Sequence, residues 1–252
     1  QQEAFEMEYA NFFVAYDVNT NGAKCYNGFH SYGDFEAFRN TVPLKYQHFY
    51  EIIRENDPVN FYFDIDGRKG DPEFAGITSD VKIAEKFMQV CLRWYREQLE
   101  SIIGYQKFHF VVATSSDTEK VSLHIIIRCD YCFRNNRELK PYADRFLAFG
   151  RKYGIKFDPL VYTKNRCMRL LHSMKFGSNR VKRKLTTADA DAMFRCAYID
   201  GYHLYFPAIE DTITEIKLPK PVQFLPQERK LHLNLALKLL EFINNDTGCY
   251  KT

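Results

Sequence analysis

An aromatic run closed by two acids, Asn60-Phe61-Tyr62-Phe63-Asp64-Ile65-Asp66-Gly67, limits what this chain can fold into more than any other stretch. Phe61, Tyr62 and Phe63 favour a strand in a buried sheet. The two-residue period of a strand then puts Asp64 and Asp66 on one face. Two carboxylates that close repel each other unless a cation sits between them, and a divalent metal is the natural occupant. The same residues also suit a strand that stops and turns at Asp66-Gly67. The rest of the chain decides between these readings.

At 252 residues and 29.8 kDa, with 46% hydrophobic residues, the chain can bury a real core in one large domain or two small ones. No internal repeat, low-complexity tract or long linker divides it, so residues 1–252 are read as one domain. A net charge of +3 is too small to argue for nucleic acid, so the distribution of charge must decide. Aromatic residues make up 16% of the chain, enough to leave rings over for base stacking. The seven cysteines are odd in number and scattered, with one C-x-x-C at Cys129 and Cys132 and no second pair at zinc-ribbon spacing. This predicts a reduced, intracellular protein with no evident zinc site. No apolar run approaches the roughly 18 residues of a membrane helix, and the first residues lack a signal-peptide pattern, so no membrane partner is expected. The chain begins with Gln1, as a processed or excised piece would.

Residues 1–30 read as a strand or short helix followed by a turn at Asn19-Thr20-Asn21-Gly22. Residues 32–54 read as a helix and then a strand, with Pro43 between them. Thr78-Ser79-Asp80 supplies a helix N-cap. Ala84, Phe87, Met88, Cys91, Leu92, Tyr95, Leu99, Ile102 and Ile103 then recur at three-four spacing, with Trp94 at the edge of that face. Strands are predicted over 108–114 and 121–128, and a helix over 137–153 that Gly154 ends. A hairpin is predicted over 197–206 around Asp200-Gly201, and a last helix over 227–244.

Three further groups carry chemistry. In Lys120-Val121-Ser122-Leu123-His124, alternation sets a cation, a hydroxyl and an imidazole on one face, a phosphate-binding strip or the solvated side of an edge strand. Asp158, between Phe157 and Pro159, is either a third carboxylate on a strand beside the first or a turn residue. From Leu160 to Ala188 there are eight Lys or Arg and no Asp or Glu: Lys164, Arg166, Arg169, Lys175, Arg180, Lys182, Arg183 and Lys184. Cations at that density, interleaved with Tyr162 and Phe176, suit a polyphosphate or a nucleic-acid backbone. Lys164, Arg180, Lys182, Arg183 and Lys184 are the candidate DNA contacts. Basic surface loops with no partner are the alternative.

Asp-x-Asp at 64–66, Lys-x-Ser-x-His at 120–124, Asp158, and Val-Tyr-Thr-Lys-Asn-Arg-x-x-Arg-Leu from Val161 with Lys175 after it occur in the order of the archaeo-eukaryotic primase superfamily. The resemblance is to its PrimPol-type primase-polymerases and covers most of residues 46–185, including Tyr50-Glu51-Ile52-Ile53 and Ser115-Ser116. It implies an α/β (α+β) fold: an RRM-like catalytic sheet over about 57–210, beside an N-terminal α/β module over about 1–56. By the same resemblance, Asp64, Asp66 and Asp158 hold two Mg²⁺ or Mn²⁺ ions, and Lys120, Ser122, His124, Arg166, Arg169 and Lys175 bind the nucleotide. The implied function is template-directed nucleotidyl transfer by a DNA-dependent DNA polymerase and DNA primase. Its partners would be a single-stranded or primed DNA template, deoxynucleotides and perhaps ribonucleotides, and a single-strand binding protein or helicase. A nuclear or mitochondrial setting follows for a eukaryotic source, and a viral source is also open. The chain has Asp66 where such enzymes often have Glu, and nothing from Ala208 to Thr252 supplies the zinc module of efficient primases. A lesion-bypass or end-joining polymerase that never primes is therefore the alternative. A non-catalytic single-strand binding module is the rival from another class.

Overall fold

The computed structural model describes residues 2–209 except Tyr9, Thr78, Asp200 and Tyr202. The helix expected over 227–244 lies outside the described residues. Residues 1–209 form one compact unit. In chain order its elements are α1 (Gln2–Phe5), β1 (Phe12–Asp17), β2 (Lys24–Phe29), α2 (Tyr32–Thr41), β3 (Phe49–Ile53), β4 (Phe61–Arg68), α3 (Asp80–Gln98) and α4 (Glu100–Ile103). Then come β5 (His109–Thr114), β6 (Lys120–Arg128), β7 (Tyr131–Cys132), α5 (Asn136–Gly150), β8 (Arg166–Arg169), β9 (Arg183–Lys184) and β10 (Leu204–Tyr205). The fold is α+β, built on two four-stranded antiparallel sheets.

The first sheet runs β2-β1-β3-β8 and the second β4-β6-β5-β9. Residues 1–56 thus supply three strands of the first sheet, while the fourth arrives from the basic segment. Each sheet obeys the period-two rule. On β4, Phe61 and Phe63 face the helices: Phe61 packs edge-on against Trp94 and Phe133, and Phe63 against Phe87 and Phe146. Tyr62, Asp64 and Asp66 take the other face.

Ser79 caps α3 by accepting from the Lys82 N–H, and Gly154 stops the turn after α5 in the left-handed conformation at φ 66°. Trp94, expected at the edge of its helix, is buried at 3% exposure, whereas Ile102 is exposed. The cause is a break at Leu99, after which the short α4 turns Ile102 outward. The hairpin expected over 197–206 is corrected as well. β10 pairs in parallel with β7, where the Leu204 N–H donates to the Asp130 carbonyl and the Phe206 N–H to the Cys132 carbonyl. Phe206 stacks on Phe133 at 4.3 Å, so its burial pulls this strand away from residues 197–199.

Candidate nucleotide and metal site

The register of β4 against β6 assembles the site. Asp64 lies opposite His124 and Asp66 opposite Ser122, so the acids and the Lys-x-Ser-x-His strip share one face. Lys120 reaches diagonally to Asp66, Nζ to Oδ2 at 2.9 Å, and His124 Nε2 stands 3.5 Å from Asp64 Oδ1. β6 is a central strand, paired on both sides, and Ser122 and His124 are buried. The reading of a solvated edge strand is thereby excluded.

Asp158 reaches the site by a different route from the one expected. It sits in no strand: its side chain caps a 3-10 turn at Pro159–Val161, accepting from the Leu160 N–H at 2.8 Å. That turn covers the open edge of β4. Carbonyls two residues apart on a strand point to the same side. The Tyr62 carbonyl accepts from the Tyr162 hydroxyl at 2.7 Å, and the Asp64 carbonyl from the Asp158 N–H at 2.8 Å. The Tyr62 hydroxyl in turn donates to the Val161 carbonyl at 3.0 Å. These bonds lock Asp158 beside Asp64 without a strand ladder.

The fourth wall comes from β8. Arg169, opposite Tyr50 in the first sheet, crosses to the second and donates from Nη2 to Ser115 Oγ at 2.9 Å. Ser115 then donates to Ser122 Oγ at 3.0 Å. Ser115, 3% exposed, is a site residue to which sequence reasoning gave no role, although the Ser115-Ser116 pair preceding the strip was the available signal. Arg166 Nη2 stands 4.0 Å from Asp158 Oδ2.

Burial dominates the electrostatics. It pushes the Asp64 carboxyl up from its ordinary value, Asp66 and Asp158 push the same way, and Lys182 and Arg166 oppose them. His124 is driven well below its usual value by burial and by Lys182, Arg169 and Arg166, so its imidazole is neutral at pH 7. A neutral imidazole still offers one N–H donor.

Among the described residues, no three His, Cys, Asp or Glu side chains converge closely enough to hold a metal ion as they stand. Two of the acids instead face cations, Asp66 facing Lys120 and Asp158 facing Arg166, while Asp64 faces His124.

The basic segment is not one surface. Lys182 corrects its reading as a DNA contact, because it is 1% exposed and its electrostatic neighbours include Asp64 and Asp66. Lys184 is tied to the Asp189 carbonyl at 2.7 Å and to Asp191 Oδ1 at 2.6 Å, and Arg180 leans on Asp117 at 3.6 Å. Arg183 and Lys164 are exposed, the latter paired with Glu55 beside a cavity of about 560 Å³ whose lining includes none of the three acids. Lys175 is exposed in the turn after β8. Period-two alternation around β9 turns Lys182 and Lys184 one way and Arg183 the other.

No helix among the described residues is long and apolar enough to cross a membrane. No protein-family model matches the chain. The chain is 30% identical over 200 aligned positions to uncharacterized protein ORF49 of Ostreid herpesvirus 1 (isolate France), a match covering 71% of this chain. The chain spans 17% of the length of that relative.

Proposed function

We propose that this chain is the catalytic core of a primase-polymerase: a template-directed nucleotidyltransferase that extends DNA and starts primers, with Mg²⁺ or Mn²⁺ held by Asp64, Asp66 and Asp158. The observation that carries this reading is the β4–β6 register, which sets Asp64 against His124 and Asp66 against Ser122, with Asp158 bonded to the Asp64 backbone. An all-carboxylate donor set has the chemistry that hard divalent ions take. Such ions supply a lowered pKa for a primer 3′-hydroxyl and neutralisation of the triphosphate.

The chain's own residues bind and orient. Lys120, Arg166 and Arg169 neutralise phosphate charge, while Ser122 and the neutral His124 donate hydrogen bonds to phosphate oxygens. Lys120 and Arg166, which stand beside Asp66 and Asp158, are placed to share the phosphates of a nucleotide with metal held by those acids. Exposed Arg183 meets the template backbone, and exposed Lys164 does so by exchanging Glu55 for phosphate. The two antiparallel sheets suit the expected pairing of an RRM-like catalytic sheet with an N-terminal module, and template would lie between them. The viral relative agrees with a viral source.

Purified protein with Mn²⁺ or Mg²⁺ should extend a labelled primer on a DNA template, and Asp64→Ala or Asp66→Ala should abolish extension while DNA binding persists. Extension without synthesis on an unprimed circular template would favour a lesion-bypass or end-joining polymerase. DNA binding with no extension under either metal would favour a single-strand binding module and overturn the proposal.

A further inference from the structure

The strip Lys120, Ser122, His124 does not account for the most unusual side chain near the acids. Lys182 is 1% exposed and its Nζ has no hydrogen-bond partner. Its backbone is held on both sides: the Lys182 N–H donates to the Ser173 carbonyl at 2.9 Å, and the His172 N–H donates to the Lys182 carbonyl at 2.8 Å. From that fixed root the amine lies in the field of Arg169, Asp64 and Asp66, and burial first and Arg169 next hold its proton affinity well below the ordinary lysine value, against the pull of the two acids.

It is not alone. Arg169 Nε and Nη1, Arg166 Nε and Arg180 Nη1 are also buried without a partner, and Arg180 is close enough to Arg169 to depress its proton affinity. A buried donor left unsatisfied costs about 1–3 kcal/mol, and a charged one more. Buried donors left without partners on Lys182, Arg169 and Arg180, whose charges act on one another, are explained by an anion that completes them.

We propose that Lys182, with Arg169 and Arg180, forms a buried anion pocket that takes the polyphosphate of a nucleoside triphosphate, and that Lys182 rather than the exposed Lys175 is the second lysine of the site beside Lys120. The inference rests on the nucleotidyltransferase reading and adds to it a residue that the motif order does not supply. Lys175, four residues past Leu171, stands in an exposed turn, and the chain returns inward only at Lys182.

Titration calorimetry of the full chain with inorganic tripolyphosphate and with a non-hydrolysable deoxynucleoside triphosphate tests this directly. Lys182→Met should weaken both by about thirtyfold or more, the scale on which truncating one member of a buried charged contact acts. Lys182→Arg should recover most of the loss, and Lys175→Ala should stay within about threefold of wild type, as expected of an exposed charge. Lys182→Met keeps the volume of the buried side chain, and Lys182→Gln, which keeps a polar end, is the second variant should the first fail to fold. Wild-type binding of both ligands with Lys182→Met and Lys182→Gln unchanged would overturn the inference alone, leaving Lys182 as a countercharge of Asp64. Failure of the wild type to bind either ligand would overturn the reading on which it rests.

Discussion

Replacing Tyr162 by Phe removes a single oxygen and tests how Asp158 is placed. The Tyr162 hydroxyl, on a side chain 5% exposed, donates to the Tyr62 carbonyl at 2.7 Å on the open edge of β4. Its loss forfeits a net hydrogen bond of about 1 kcal/mol and leaves a buried carbonyl short of one partner, which together come to about 2 kcal/mol. For a unit of this size each kcal/mol lowers Tm by about 2–4 °C, so a fall of about 4–8 °C is expected. Urea unfolding should show a lower midpoint with unchanged slope. Tyr142→Phe is the control, because its hydroxyl donates to the Pro207 carbonyl at 2.6 Å, away from the acids. Both variants should lose stability, but only Tyr162→Phe should weaken Mn²⁺ binding, by loosening the turn that carries Asp158. A stability within about 0.5 kcal/mol of wild type, or an equal loss of Mn²⁺ affinity in Tyr142→Phe, would refute this account of the edge.

Burial alone would raise the Asp191 carboxyl, but Lys184 at 2.6 Å and His172 at 2.9 Å outweigh it and hold it below 3.8. The stability it contributes is therefore present above pH 3.8 and lost as pH falls through the lower folded value. The stability gap between wild type and Asp191→Asn should close as urea midpoints are followed from about pH 7 to about pH 2, and a constant gap would count against the pairing. Arg166→Ala should raise KM for nucleotide more than Kd for DNA in steady-state and binding assays, and the reverse pattern would move Arg166 from nucleotide to template.

The core of the site was legible because strands write their faces into the sequence. Phe61, Phe63 and Ile65 against Tyr62, Asp64 and Asp66 is a period that a single chain displays, and so is Lys120, Ser122, His124. Caps carry equally local signals, as at Ser79 and Gly154. What escaped depends on long-range contacts. Asp158 pairs with β4 through one backbone bond and a tyrosine hydroxyl, which leaves no periodic trace. β8 is four residues long, and only its pairing with β3 shows that the basic segment belongs to both sheets. Lys182, Arg183 and Lys184 look alike as letters, and the pairing of Thr114 with Arg183 and of Ala113 with Lys184 is what divides them between inside and outside. Glu51 shows the same limit. It reads as one charge in an apolar strand, yet it is 2% exposed and accepts from the Cys196 and Ala197 N–H groups, which tie the chain after β9 across the first sheet.

Single-turnover incorporation of one deoxynucleotide onto a labelled primer, wild type against Asp64→Asn at saturating Mn²⁺, tests the central claim most directly. The substitution keeps the shape and removes the charge, and loss of one charge-stabilising group in such a site costs about two to three orders of magnitude in rate. A loss of at least that size, with primer-template Kd within about twofold of wild type, is the predicted result. Equal incorporation rates for the two proteins would contradict the assignment of the Asp64 face as the site of nucleotidyl transfer.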